Sequence, residues 1–267
     1  MNAIGGAMPG IGSTQGKAGA RDHLFPTMVV GSLPRPQWVQ ALIARRLEGT
    51  ISHSEADAVL DDAIPMAVLM QEQAGLDYVS DGEWRRENYA RVFADKVEGF
   101  ERRRAQRGPL TLEVVIVEEI ERRGDIVCRD AEFLRSVTSH KTIVALPSPS
   151  TVADLSWHPE LSISAYPTRE HCARACVPIL RQEVIALAEL GIDAIQLDDP
   201  LLSRLKDPHL YGLEPSRGVL ESVARLSVET ANEIFDGLDH VYRTVHLCHG
   251  YGDTARIVPD LGDIMME

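Results

Sequence analysis

Two side chains near the end of the sequence, His246 and Cys248, are the pair best suited to hold a metal. They stand two apart in the β-like run Arg243-Thr244-Val245-His246-Leu247-Cys248, so an extended backbone points both to one face. Zinc accepts one imidazole nitrogen and one thiolate readily. Taken alone, His-X-Cys is a weak pattern. Its ordinary reading is a small buried thiol beside a hydrogen-bonded histidine. The surroundings raise it above that reading, because almost every β-like run ends in a reactive residue. Gly31-Ser32 closes the first run, Asp81-Gly82-Glu83 the second, Asp198-Asp199-Pro200 the fourth and Glu267 the last. Asp198 ends the apolar stretch 194–197 and is expected at the mouth of the sheet, where Pro200 stops the strand. Glu83 has a second reading, as an acidic residue opening a helix near Trp84.

The elements that must position these groups alternate. The β-like runs are Met28-Val29-Val30-Gly31-Ser32, Asp77-Tyr78-Val79-Ser80-Asp81, residues 141–146, 194–198 and 243–248, and Asp263-Ile264-Met265-Met266-Glu267. Helical patterns lie between them. Val177, Leu180, Val184, Leu187 and Leu190 recur at three and four and stop at Gly191. Val59, Ala63, Met66, Met70 and Ala74 form a second such face, ending near Gly75. Residues 112–117 and 125–128 read as the two arms of an inserted β-hairpin. Alternating β and α units imply a parallel sheet with helical crossovers, whose C-terminal strand ends converge on a site. The expected fold is α/β, a (β/α)8 TIM barrel truncated after its sixth strand. Its domain covers 25–267, behind a disordered Gly-rich leader over 1–24. An open barrel leaves strand edges in water, so a second copy or a completing partner chain is an expected companion.

The bulk numbers narrow the class. The 267 residues are 44% hydrophobic and 25% charged, an ordinary globular composition. A net charge of −13 and a pI near 5.2 disfavour nucleic acid and anionic membrane surfaces as partners. No apolar run approaches the roughly 20 residues that span a bilayer, and the N-terminus lacks the apolar core of a signal peptide. Four cysteines do not make a disulfide framework, so a reduced, cytoplasmic setting is expected. Cys172 and Cys176 beside His171 read as helical thiols. Arg102, Arg103, Arg104 and Arg107 read as a solvated basic loop.

Four motifs together resemble the cobalamin-independent methionine synthase family. Val29-Val30-Gly31-Ser32-Leu33-Pro34-Arg35-Pro36 is similar to the opening of its catalytic barrel. Gly75-Leu76-Asp77-Tyr78-Val79-Ser80-Asp81-Gly82-Glu83, followed by Arg85-Arg86, is similar to its second-strand motif. Ile195-Gln196-Leu197-Asp198-Asp199-Pro200 and His246-Leu247-Cys248 resemble its acidic and zinc motifs. They fall in the family's order over about residues 26–267. The resemblance implies zinc held by His246, Cys248 and Glu267. It also implies that Glu83 and Asp198 hold the amino group of a thiol such as homocysteine, and that Ser32 and the Gly31 backbone hold its carboxylate. The implied reaction moves a methyl group from a folate-type or corrinoid donor to that thiol. Asp199 is the candidate acid for the leaving group. The family's fourth ligand, a downstream cysteine, has no counterpart in this sequence. Three other readings stand beside this one. A transferase acting on epoxyalkanes and coenzyme M would need an arginine, Arg35 or Arg85, at the mouth. A uroporphyrinogen-decarboxylase-like barrel would need no zinc. A non-catalytic subunit would act only with a partner.

Overall fold

The structure, a computed structural model, describes residues 25–108, 110–205 and 217–248. The leader, the expected strand at 263–267 and Glu267 lie outside the described residues.

A four-stranded parallel sheet forms the centre. Its order is β1 (Tyr78–Val79), β6 (Lys141–Pro147), β7 (Ala194–Asp198) and β8 (Tyr242–His246). Helices cover it, as a parallel sheet requires. They include α1 (Gln37–Leu47), α2 (His53–Gln73), α4 (Cys128–Val137), α5 (Pro149–Ser156), α6 (Arg169–Glu189) and α8 (Arg217–Phe235). Every residue of β7 is buried, because it is paired on both sides and covered on its faces. The short helices α3 (Arg91–Ala94) and α7 (Pro200–Arg204) follow the ends of β1 and β7. Among the described residues, no helix is long and apolar enough to cross a membrane.

The run 28–32 is extended but forms no regular strand. It is tied at its start: the Asp77 and Tyr78 N–H groups both donate to the Thr27 carbonyl at 3.1 Å. The Thr27 hydroxyl in turn donates to the Asp77 carboxylate at 2.8 Å.

Helix α6 follows its pattern. Thr168 caps it through the His171 N–H, and Val177, Leu180, Val184 and Leu187 are buried. Helix α2 starts on a capping box, with Ser52 and Glu55 satisfying each other's N–H groups. Its buried face is not the expected one. Ala56, Leu60, Ala63, Ile64, Ala67 and Val68 face the core, while Val59, Met66 and Met70 are 42%, 54% and 48% exposed. The helix carries two apolar stripes that share Ala63. The one rich in alanine allows the closer approach to the sheet and is the one buried.

The inserted hairpins also differ from expectation. Residues 125–128 are no hairpin arm; they lead into α4. Instead β5 (Val115–Arg122) pairs antiparallel with the upstream β2 (Val97–Glu101), and β3 (Ala105–Arg107) pairs with β4 (Leu110–Leu112). The β2–β5 register shifts at Gly99, whose φ of +92° and approach to the Glu118 and Glu119 carbonyls leave no room for a Cβ. Arg102, Arg103 and Arg104 are exposed as expected. Arg107 is buried instead, against Asp154 at 3.0 Å.

Helix α4 has no side-chain cap of its own. Glu183 from α6 supplies one. Its Oε1 accepts the N–H groups of Ile126, Val127 and Cys128 at 2.9, 2.6 and 3.0 Å, and its Oε2 accepts from Arg122 at 2.7 Å. Glu183 is fully buried, so these bonds hold its carboxyl below the usual range although burial alone would raise it. Glu183→Ala leaves three amide donors and a cation without an acceptor. The expected loss is about 3–5 kcal/mol of unfolding free energy, read by urea denaturation. A loss under about 1 kcal/mol would contradict this cap.

Candidate active site

The parallel register sets Pro147, Asp198 and His246 side by side at the C-terminal ends of β6, β7 and β8. Backbone and hydroxyl bonds pin those ends together. The Ser148 N–H and the Thr151 hydroxyl donate to the Asp198 carbonyl, and the Asp199 N–H donates to the His246 carbonyl at 3.0 Å. Within this frame Asp198 Oδ1 lies 2.9 Å from His246 Nδ1 and accepts from Gln196 Nε2 at 2.7 Å. A carboxylate accepts only, so in a neutral ring Nδ1 would carry the proton and Nε2 would be the nitrogen that can bind a metal. Cys248 follows two residues on and is half-buried. Together these residues are chemically suited to zinc: an oriented imidazole, a thiol and a carboxylate behind the imidazole.

A second group faces this one from the loops that follow residue 30 and β1. Ser32 Oγ donates to Glu83 Oε2 at 2.6 Å, and Arg86 Nη1 donates to Glu83 Oε1 at 3.2 Å. Asp81 accepts the Glu83 N–H at 2.9 Å. Glu83 does not open a helix. Its φ is +56°, the one positive value at a non-glycine among the described residues. A cavity of about 20 Å³ is lined by Gly31, Asp81, Glu83 and Arg86 and by Gln196, the residue that donates to Asp198. That is room for one water-sized group. Burial lowers the Arg86 pKa, but Glu83, Asp81, Asp130 and Asp198 outweigh it and hold the cation above its usual range.

Asp199 is not brought to this cluster. It lies one residue past β7, at the start of α7, and its carboxyl is buried with Ser148 and Ser227. Burial pushes it up to about 6 against the hydrogen bonds those serines offer. Arg86 and Gln196 are not among the sequence candidates for binding, and Arg35 is one only for a coenzyme M thiol. Gln196 alternates with Asp198, so its facing was legible; the role of Arg86 depends on the left-handed turn at Glu83.

A different set of donor atoms, from Asp125, Cys128 and Glu183, gathers within 4.8 Å. It is the helix cap described above. Its glutamate is already saturated, and burial with the nearby Glu183 pushes the Cys128 thiol well up, which disfavours a metal-binding thiolate. Cys172 and Cys176 are core thiols, and the neighbouring His171 bonds Thr168.

Arg85 turns away from the cavity toward Asp61 and Asp130 and stacks over Phe133. Burial and Asp81 push the Asp130 carboxyl up to about 6, against the pull of Arg85 and Arg86. An unfolded Asp titrates near 4. The folded state therefore holds this proton more tightly, and Asp130 costs stability progressively as pH rises from about 4 to about 6. In Asp130→Asn that component disappears. Between pH 4 and 7 the variant gains on the order of 2 kcal/mol relative to wild type in denaturant titrations. An unchanged difference across that range would contradict it.

The sequence profile of the cobalamin-independent synthase catalytic domain matches residues 25–231. The chain belongs to this family. It is similar to the methionine synthase of Saccharolobus solfataricus, with 26% identity over 252 residues that cover 91% of this chain and 68% of that one. The methionine synthase of Sulfolobus acidocaldarius is 23% identical over 248 residues, covering 91% and 66%. Among solved structures, a B12-independent methionine synthase from Shewanella sp. W3-18-1, in complex with selenomethionine, aligns with a TM-score of 0.68 and 26% identity. The alignment covers 86% of this chain and 63% of that one. A putative B12-independent methionine synthase from Listeria monocytogenes, at 23% identity and a TM-score of 0.65, shares the fold. The chain thus spans about two thirds of the length of these relatives. Its parallel sheet and outer helices are those of the family's TIM-barrel fold.

Proposed function

We propose that this protein transfers a methyl group from a methyltetrahydropterin to the sulfur of homocysteine, with zinc at His246 and Cys248. The observation that carries this reading is the Asp198–His246 contact at the strand ends, with Gln196 bonded to Asp198 and lining the same small cavity as Glu83 and Arg86. Zinc, when bound, makes a substrate thiol available as thiolate at neutral pH. Asp198 fixes the His246 ring and its tautomer. Glu83 offers its carboxylate to the substrate ammonium, while Ser32 and the Gly31 backbone are suited to the substrate carboxylate. Glu267 is the third ligand in this reading. Asp199, buried with Ser148 and Ser227, takes no step in this reading.

Coenzyme M as the thiol is less well supported. Arg35 is engaged with backbone carbonyls, Arg85 faces Asp61 and Asp130, and Arg86 is neutralised by Glu83. One observation favours a chain that works only in an assembly. Val30 beside the first edge of the sheet, and Tyr242 and Val245 on β8 at the other, are 53%, 46% and 47% exposed. Solution mass tests that reading, and a monomer with full activity would exclude it.

The direct test supplies L-homocysteine with methyltetrahydropteroyl-triglutamate or methylcobalamin, and coenzyme M with an epoxyalkane, and identifies products by mass spectrometry. Methionine from the pterin donor is expected. Alkylated coenzyme M without methionine would overturn the proposal.

A further inference from the structure

Glu83 is held in an unusual way: Asp81 accepts its N–H, and its carbonyl is held by a side chain from the neighbouring loop. The guanidinium of Arg35 donates through Nη2 to the Glu83 carbonyl and to the Arg86 carbonyl, both at 2.9 Å. These two carbonyls bracket the turn that the Arg86 N–H closes on the Glu83 carbonyl at 3.1 Å. The turn is the one in which Glu83 takes its left-handed φ of +56°, a conformation that a residue with a Cβ enters only when its surroundings fix it. The two loops are also joined by the Leu33 N–H to the Gly82 carbonyl at 3.0 Å. Gly82 leaves just enough space for Leu33: a Cβ there would stand 3.1 Å from its Cδ1. The Arg35 cation is thus directed at backbone carbonyls. It fixes the backbone from which both members of the Glu83–Arg86 pair project.

We infer that Arg35 is a positioning residue for amino-group recognition, holding the strained turn that aims the Glu83 carboxylate into the small cavity. The inference rests on the proposed amino-acid thiol reading and deepens it. A planar guanidinium can serve two carbonyls at once from a fixed position, whereas a lysine ammonium is a point charge on a flexible stem. Arg35→Met therefore releases the turn, and Arg35→Lys keeps part of the restraint.

The test compares two thioethers that differ only in the amino group, L-methionine and 4-(methylthio)butanoate, by calorimetric titration of the full chain. Neither probe needs the metal. Wild type is expected to prefer methionine by about tenfold or more, the scale of a hydrogen bond to a charged group. Arg35→Met removes most of that preference by weakening methionine alone, and Arg35→Lys removes less. Glu83→Gln removes it as well, and adding Arg35→Met to Glu83→Gln changes little further. If Arg35→Met does not fold by circular dichroism, Arg35→Lys carries the test on the same criterion. A preference that survives intact in the Arg35 variants overturns this inference alone, as does an equal loss for both probes. A wild type with no preference overturns the amino-acid thiol reading, and the inference with it.

Discussion

Replacement of Arg86 by Met lowers the unfolding free energy by about 3–5 kcal/mol. Arg86 is 5% exposed and is the cation around which Glu83, Asp81, Asp130 and Asp198 are arranged. Met keeps most of the apolar stem and removes the charge. Glu83 then loses its donor at 3.2 Å, and Glu83 and Asp81 remain buried with less compensation. Removing one partner of a buried ion pair costs far more than the pair contributes, because the remaining charge still has no water. Urea denaturation at pH 7 reads the loss. A change below about 1 kcal/mol would mean that the carboxylates reach solvent or other partners.

His246→Ala reduces methyl transfer by more than about 100-fold, and Asp198→Asn by about 10–100-fold. The order follows from the geometry. In the proposed zinc site His246 would offer Nε2 directly, while Asp198 would act only through its 2.9 Å contact to Nδ1. Asn at 198 still accepts with its amide oxygen, so the tautomer survives while the negative charge behind the ring is lost. Steady-state rates with saturating thiol distinguish the two. Equal effects, or a larger effect at Asp198, would shift its main role from the imidazole to the substrate. Gln196 Nε2, which donates to the same Asp198 oxygen, would then be the competing partner.

Strand-end chemistry was legible in the sequence because it depends on local rules. Alternation expects His246 and Cys248 on one face, and β8 ends at His246; the run 194–197 ends at Asp198, the last residue of β7. Asp199, one residue past the strand, is buried with Ser148 and Ser227, which the acidic doublet alone does not reveal. Helix α6 could be read from one apolar stripe. Helix α2 could not, because it carries two stripes, and packing against the sheet decides between them. The partner of β5 was out of reach as well. Antiparallel pairing with 97–101 is a contact between separated segments, and 125–128 is a helix entry whose cap comes from Glu183 in another element. The role of Arg35 and Arg86 depends on one left-handed residue, Glu83, a conformation that residue type does not announce.

The central claim is that His246 and Cys248 hold zinc, and the most direct measurement is zinc content per chain by atomic emission, in wild type and in Cys248→Ser and His246→Ala. The account predicts about one zinc per folded wild-type chain and loss of most of it in each variant. A folded wild type without zinc after equilibration with the metal, or variants that retain it in full, would contradict the account.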